Sequence, residues 1–356
     1  MGVKMGHDSL IAQYRSITRQ KTAIITVLIA AIILLAGIAV GIGPIHYSLG
    51  DVYATIMSSV IPGVFDIDDT MWTVIMKIRV PRMVMALLTG FGLAIAGAGM
   101  QVILGNPLAS PFTLGVSSGA GFGAGLAVLA GISFMGGRFF LIGNAFLFSL
   151  FPAIVIAGIS RIRRATSGMM ILAGIAMGYV FSAGSSLMSY FSQAEDLKAL
   201  SLWMMGNLGR ATWSDIAWLT GAFVLSVPVY LYQVHALDVM NAGDETAKSL
   251  GVHVERTRLL IMVVSSFITA SIICFTGVIG FVGLVAPHIT RMFIGANNRF
   301  LIPATGLFGA VFLLAADIIA LKLIEPTVLP VGVITSFLGG PLFLYLIIRK
   351  NRKQYW

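Results

Sequence analysis

Stretches of 18 or more residues without a single charge recur along this chain, among them 22–42, 83–137 and 259–287. A helix of roughly 20 apolar residues is what crosses a hydrocarbon core of about 30 Å. In lipid every backbone N–H and C=O must find a partner inside the segment or its sheet, so only helices and closed barrels span. A barrel needs strands of about ten residues that alternate apolar and polar side chains. These runs are apolar all round, so the chain is expected to be an all-α integral membrane protein. The composition agrees, because 10% charged residues is far below the roughly 25% of a soluble domain.

Read in order, the spans are expected near 23–42, 83–104, 112–134, 139–160, 168–191, 216–234, 257–276, 278–295, 300–321 and 331–348. The first follows Arg15, Arg19 and Lys21 as a signal peptide would, but its apolar run outlasts an h-region and no convincing cleavage site follows. It is read as a retained span. The stretch 259–287 is too long for one helix and short for two, and charge decides the count. With a turn near Gly277–Gly280, the groups Arg291/Arg299, Arg161/Arg163/Arg164 and Arg349/Lys350/Arg352/Lys353 all lie on the side of Arg15, as the excess of cytoplasmic Lys and Arg demands. About ten helices with both termini cytoplasmic follow. The layout is a cytoplasmic tail over 1–22, one membrane domain over 23–349 with its longest cytoplasmic loop at 235–256, and a cytoplasmic tail over 350–356.

A net charge of +9 invites a nucleic-acid reading. The basic residues sit at the ends of apolar runs, where membrane topology places them, so no nucleic-acid partner is expected and membrane lipid is. Cys274 has no partner for a disulfide, and the histidines lack metal-ligand spacing, so neither a metal site nor a bound cofactor is expected.

Several local features stand out. Gly115, Gly119 and Gly123 make a small-residue ridge, and Gly174 and Gly178 another, of the kind that lets helix backbones approach in lipid. Lys77, Arg79 and Arg82 precede the second span on the outer face, against the charge rule. In Arg79-Val80-Pro81-Arg82 the proline fixes the backbone between two guanidiniums, which grip carboxylates bidentately, so an acidic soluble partner is expected there. Asn106 and Pro107 open a proline-bounded turn between the second and third spans. The 235–256 loop is expected to hold a short helix, with Asp244 and Glu245 at its positive N-terminal end, Asp244 and Lys248 as an i,i+4 pair, and Gly251 as the C-terminal cap. Ala247 and Leu250 would form its apolar face, sized for a groove in a partner. Asp317 is the one acidic residue well inside an apolar run, and is read as a partly solvated structural charge near the outer end of its span.

Taken together, several segments resemble the permeases of type II ABC importers for iron-siderophore, haem and cobalamin, the FecCD type. They are Arg79 to Arg82; Gly97 to Gln101 with Asn106 to Pro111 and Leu114 to Ala120; Gly243-Asp244-Glu245, Ala247 and Leu250 to Val252; Gly280 to Ile289 with Arg291; Ala316-Asp317; and Leu329 to Thr335 with Gly340-Pro341. The resemblance implies a homodimer with its pathway at the two-fold axis, two copies of a cytoplasmic ABC ATPase, and an extracytoplasmic substrate-binding protein. It assigns Arg79 and Arg82, with Lys322 as a further basic contact, to docking that protein. It assigns Gly243, Asp244, Glu245, Ala247, Leu250 and Gly251 to coupling with the ATPase.

No Gly-x-x-x-x-Gly-Lys-Ser/Thr phosphate loop occurs in the chain. ATP and Mg therefore belong to the partner, and the chain is read as a transport subunit and not an enzyme. Gln101, Asn106, Pro107, Gly115, Ser117, Gly119 and Gly123 are expected to line or pack the translocation path, with Ser185 as a further polar anchor. Ferric siderophore is the first expectation for cargo, then cobalamin, then haem. The alternative from another class is an ion-coupled secondary transporter with Asp317 as its ion site.

Overall fold

A computed structural model describes residues 7–43, 45, 47–61, 65–137, 139–162 and 166–350. Arg163, Arg164, and parts of both expected tails, 1–6 and 351–356, lie outside the described residues. The elements are α1 (His7–Gly41), α2 (Leu49–Val60), α3 (Asp69–Trp72), α4 (Val80–Leu104), α5 (Val116–Val128), α6 (Phe139–Ile162), α7 (Ser167–Tyr190), α8 (Ala194–Met204), α9 (Trp213–Met240), α10 (Asp244–Ser249), α11 (Val254–Thr276), α12 (Val282–Ile294), α13 (Asn298–Lys322) and α14 (Val331–Lys350). Seven of the helices are long and apolar enough to cross a membrane, and α5, α12 and most of α14 are shorter apolar ones. Together they bring the apolar helices among the described residues to ten, in line with the expected count.

The second span begins earlier than expected. Asp68 caps α3 by accepting hydrogen bonds from the backbone N–H of Thr70 at 3.0 Å and Met71 at 3.2 Å. From there α3, a π-helical stretch Thr73–Arg79 and α4 run on as one helix of 36 residues, Asp69–Leu104. Lys77, Arg79 and Arg82 thus lie within a helix and not in a loop ahead of one. Pro81 breaks nothing, because it sits next to the π-helical stretch, where the backbone hydrogen-bond pattern is already shifted. The third span contracts to the 13 residues of α5, after a tight turn over Pro111–Leu114. Two helices were not expected. One is α2, closed by a reciprocal cap between Ser48 and Asp51, and the other is α8, which opens with Glu195 and Asp196. Both carry too much polarity to read as spans, so the search for apolar runs passes over them.

In the most apolar window of α4, 72% of residues are buried, against 11% for α1 and 17% for α7. The core is therefore organised around α4, with α1 and α7 at its rim. Around it pack α13, α11, α12 and α9. Glycine makes the closest approaches possible: a Cβ on Gly97 would run into the carbonyl of Gly283 in α12, and one on Gly90 into the carbonyl of Gly309 in α13. No hydrophobic force draws helices together in lipid, so such close packing carries much of their association. The expected ridge of Gly115, Gly119 and Gly123 is divided between two neighbours. Gly115 precedes α5 with φ of +84° and faces Gly174 and Gly178 of α7, whereas Gly119 and Gly123 abut the α6 backbone at Phe148 and Asn144.

The reversal at 277–281 is where the charge argument placed it, between the end of α11 at Thr276 and the start of α12 at Val282. Gly277 makes the turn with φ of +70° and ψ of −169°, a region open essentially to glycine alone. A Cβ there would also strike the carbonyl of Trp203 at the end of α8. Gly277→Ala is expected to cost at least about 1–3 kcal/mol through backbone strain, read as a lower unfolding temperature of the detergent-solubilised protein.

Candidate functional site

At one end of the bundle, α10 is a helix of six residues, too short to be stable alone. Its ends and one side are fixed by the rest of the chain. Gly251 has φ of +83°, and its N–H donates to the Lys248 carbonyl at 3.0 Å while that of Val252 donates to the Ala247 carbonyl at 3.0 Å. This is the two-bond left-handed C-terminal cap, so the expectation for Gly251 holds in the structure.

The expected apolar face of α10 is split. Ala247 is fully buried in the main core, while Leu250 is 67% exposed. Leu250 therefore projects alone, beside Glu245, whose side chain is 93% exposed. The expected Asp244–Lys248 pair does not form either. Asp244 instead accepts from one guanidinium nitrogen of Arg258, from the first turns of α11, with Nη2 at 2.8 and 2.7 Å from its two carboxylate oxygens. Lys248 turns to Glu255 at 3.3 Å and Glu245 at 3.6 Å. The reason is burial: Arg258 is 3% exposed, and a buried guanidinium must be paired, whereas an exposed ammonium stays with water and weak partners.

Arg258 makes a second contact that no local reading of the sequence anticipates. Its Nε donates to the carbonyl of Ile103 at 2.7 Å. Ile103 lies in the last turn of α4, where carbonyls have no partner within the helix and a cation is favoured by the helix dipole. One side chain thus joins α10, α11 and the C-terminal end of α4. The only hint in the sequence is an arginine in the first turns of an apolar span. Nearby, Asp238 at the end of α9 accepts from the Asn298 N–H at 2.6 Å, and the Asn241 side-chain amide donates to the Ala296 carbonyl at 3.2 Å.

At the opposite end the arginines turn inward, which corrects the expectation of a fork offered to solvent. Arg79 is 7% exposed. Its Nη1 donates to the carbonyls of Val40 at 2.9 Å and Gly41 at 3.0 Å, and its Nη2 to that of Ile45. The guanidinium closes the C-terminal end of α1, where carbonyls and dipole both favour a cation, and lies 5.3 Å from the Tyr47 ring. Arg82 pairs bidentately with Asp317 of α13, Nε to Oδ2 at 2.9 Å and Nη2 to Oδ1 at 2.8 Å. Asp317 is 2% exposed, so it is a structural charge as expected but not a partly solvated one. Lys322 pairs with Glu325 at 2.8 Å and keeps a side chain 44% exposed. Of the three residues expected to dock a partner, Arg79, Arg82 and Lys322, it is the one open to solvent.

The residues expected to line or pack the path occupy α4, the turn after it, α5 and α7. Gln101 is buried between α4 and α12, with its amide 3.4 Å from the Leu284 carbonyl. The Asn106 side chain accepts from the Leu108 N–H at 2.9 Å, holding the turn that contains Pro107. Ser117 and Ser185 are half-buried on α5 and α7, and the three glycines are packing contacts. A cavity of about 470 Å³ opens elsewhere, between the end of α8, the α11–α12 turn and α14, with Met204, Met205, Val278, Gly280, Val333 and Phe337 in its wall.

A ten-span domain that holds a short, firmly anchored helix at one face and an apolar cavity among its short helices has the build of a transport permease. Comparison makes the class specific. The profile of the FecCD transport family matches residues 24–349, and the chain belongs to that family. It is 41% identical over 350 residues to an ABC transporter permease protein of Methanocaldococcus jannaschii, covering 96% of this chain and 98% of that one. It is 37% identical to the hemin transport system permease of Yersinia pestis, over 81% of this chain and 86% of the relative. A solved structure described as a metal-chelate type ABC transporter in an inward-facing conformation superposes with a TM-score of 0.80 at 31% identity, covering 92% of this chain and 99% of the other. The chain is accordingly a multi-pass inner-membrane permease of the type II ABC importer kind, a transport subunit that is not itself catalytic.

Proposed function

We propose that two copies of this chain form the membrane core of an importer for an iron chelate, a ferric siderophore first. In this reading two copies of a separate ATPase seat on α10, and an extracytoplasmic binding protein delivers the cargo. The observation that carries this reading is the two-sidedness of α10. Leu250 and Glu245 are exposed to solvent, while Ala247 and the Asp244–Arg258 pair bind the helix to the core. A helix anchored in this way can receive a push on one side and deliver it to the bundle on the other.

When ATP closes the partner subunits, α10 moves with them and the helices about the dimer axis shift between outward-open and inward-open packings, a rigid-body change between two packed states. The dimer face is assigned to α7 and α14, where Tyr179 at 74% and Phe337 at 75% are among the most exposed apolar side chains. On the outer face the binding protein's acidic residues meet Lys77, Arg210 and Lys322, all exposed, while Arg79 and Arg82 brace the helices beneath. A carrier using Asp317 as an ion site is disfavoured, because Arg82 already neutralises that carboxylate.

The test uses proteoliposomes holding the permease, its ATPase and its binding protein. With wild-type protein, ATP-dependent accumulation of a ferric siderophore is expected. With Leu250→Asp the complex should still co-purify, while uptake falls about tenfold, the size of a typical coupling free energy. Wild-type uptake by this variant removes the coupling assignment. Accumulation of cobalamin or hemin in place of the siderophore moves the cargo assignment.

A further inference from the structure

The proposed drive from α10 needs a physical route into the bundle, and the covalent connections are poor ones. From Ser249 the chain reaches Val254 of α11 through a short turn, and from Met240 of α9 it reaches α10 through the glycine-containing link 241–243. Gly243 has φ of +100° and nothing within 4 Å of the place a Cβ would take, so the link on that side is unpacked at that residue. Neither connection touches α4, the helix about which the core is arranged.

We infer that Arg258 is a positioning residue that carries the movement of α10 to α4. Its guanidinium holds the Asp244 carboxylate by two short bonds and the Ile103 carbonyl by a third. Because Nη2 meets the carboxylate and Nε the carbonyl, the planar guanidinium fixes the direction between the two acceptors as well as the distance, which a point charge on a flexible stem does not. Arg258 is 3% exposed and a guanidinium so buried is costly to leave unpaired, so although the Asp244 side chain is 46% exposed, displacing it takes Arg258, and with it the end of α4, along. The Lys248–Glu255 contact at 3.3 Å also joins α10 to α11, but its side chains are both 40% exposed and such pairs are weak. At its other end α4 is pinned to α13 by Arg82 and Asp317. A displacement entering at Ile103 is therefore delivered to the outer half of the bundle along one continuous helix.

This inference rests on the coupling role of α10, and its test separates the two. In the assembled importer, uptake and ATP hydrolysis are measured together for wild type, Leu250→Asp, Arg258→Gln and Arg258→Lys. Arg258→Gln is expected to lower the uptake obtained per ATP hydrolysed about tenfold, with the complex still co-purifying. Arg258→Lys keeps the charge without the fork and should fall in between, at about threefold. A residue that only supports folding would lower the amount of complex and leave that ratio unchanged. A wild-type ratio in Arg258→Gln, or in Arg258→Lys should the first variant not assemble, overturns the inference while leaving the role of α10 intact. Failure of both variants to assemble makes Arg258 purely structural and overturns it too. Absence of ATP-driven uptake in the wild type, or full uptake in Leu250→Asp, removes the reading on which this one rests.

Discussion

Asp317→Ala is expected to destabilise the protein by about 3–5 kcal/mol, the cost of leaving a buried charge without its partner. The Arg82 guanidinium, with its side chain 13% exposed, would keep its charge, since arginine does not deprotonate in proteins. It would have no carboxylate within reach in the described structure. The expected result is a large fall in the midpoint of thermal unfolding in detergent and poor yield of folded protein. Replacing both residues by apolar ones of similar size, Arg82→Met with Asp317→Leu, should return most of the lost stability. Removing a buried pair together is often neutral or favourable, whereas breaking it is not. A double variant as unstable as Asp317→Ala would mean that the two side chains do not act as a pair.

The second large effect is expected at Gly97. Its Cα faces the backbone of Gly283, and a Cβ would overlap a carbonyl group and not the movable tip of a side chain. Gly97→Val forces α4 and α12 apart along their contact. The loss should reach at least about 3 kcal/mol, the upper end of ordinary overpacking, because a backbone cannot change rotamer to relieve it. Gly158 supplies the control. It lies in α6 with nothing within 4 Å of its would-be Cβ, so Gly158→Ala should gain up to about 1 kcal/mol from helix propensity. Equal unfolding midpoints for the two variants would contradict the packing described for α4.

Much of the architecture was legible because lipid imposes one rule on every span. Apolar length gave the helices, and charge parity located the turn at Gly277, where the structure has it. The helix ends were less legible. The start of the second span was misplaced because Lys77, Arg79 and Arg82 read as a boundary, whereas the fold accepts Arg79 and Arg82 into the helix by supplying partners and leaves Lys77 exposed. Those partners, the carbonyls at the end of α1 and the carboxylate of Asp317, lie at least 34 residues away in the chain. The same reason hid Arg258. Its acceptor Ile103 is 155 residues distant, and its claim on Asp244 displaced the local pair with Lys248 that helix periodicity favours. The cap at Gly251 was foreseen, since its causes lie within a few residues. Ala247 and Leu250 were read as one face, because helical spacing alone does not say which side meets the protein.

The whole account requires α10 and the Lys322 edge to emerge on opposite sides of the membrane. With the buried Cys274 replaced by alanine, single cysteines at Leu250 and Lys322, both positions exposed, can be probed with a membrane-impermeant thiol reagent. Cysteine at 250 should react only in inside-out vesicles, and cysteine at 322 only in intact, right-side-out ones. Labelling of both from the same side would contradict the account.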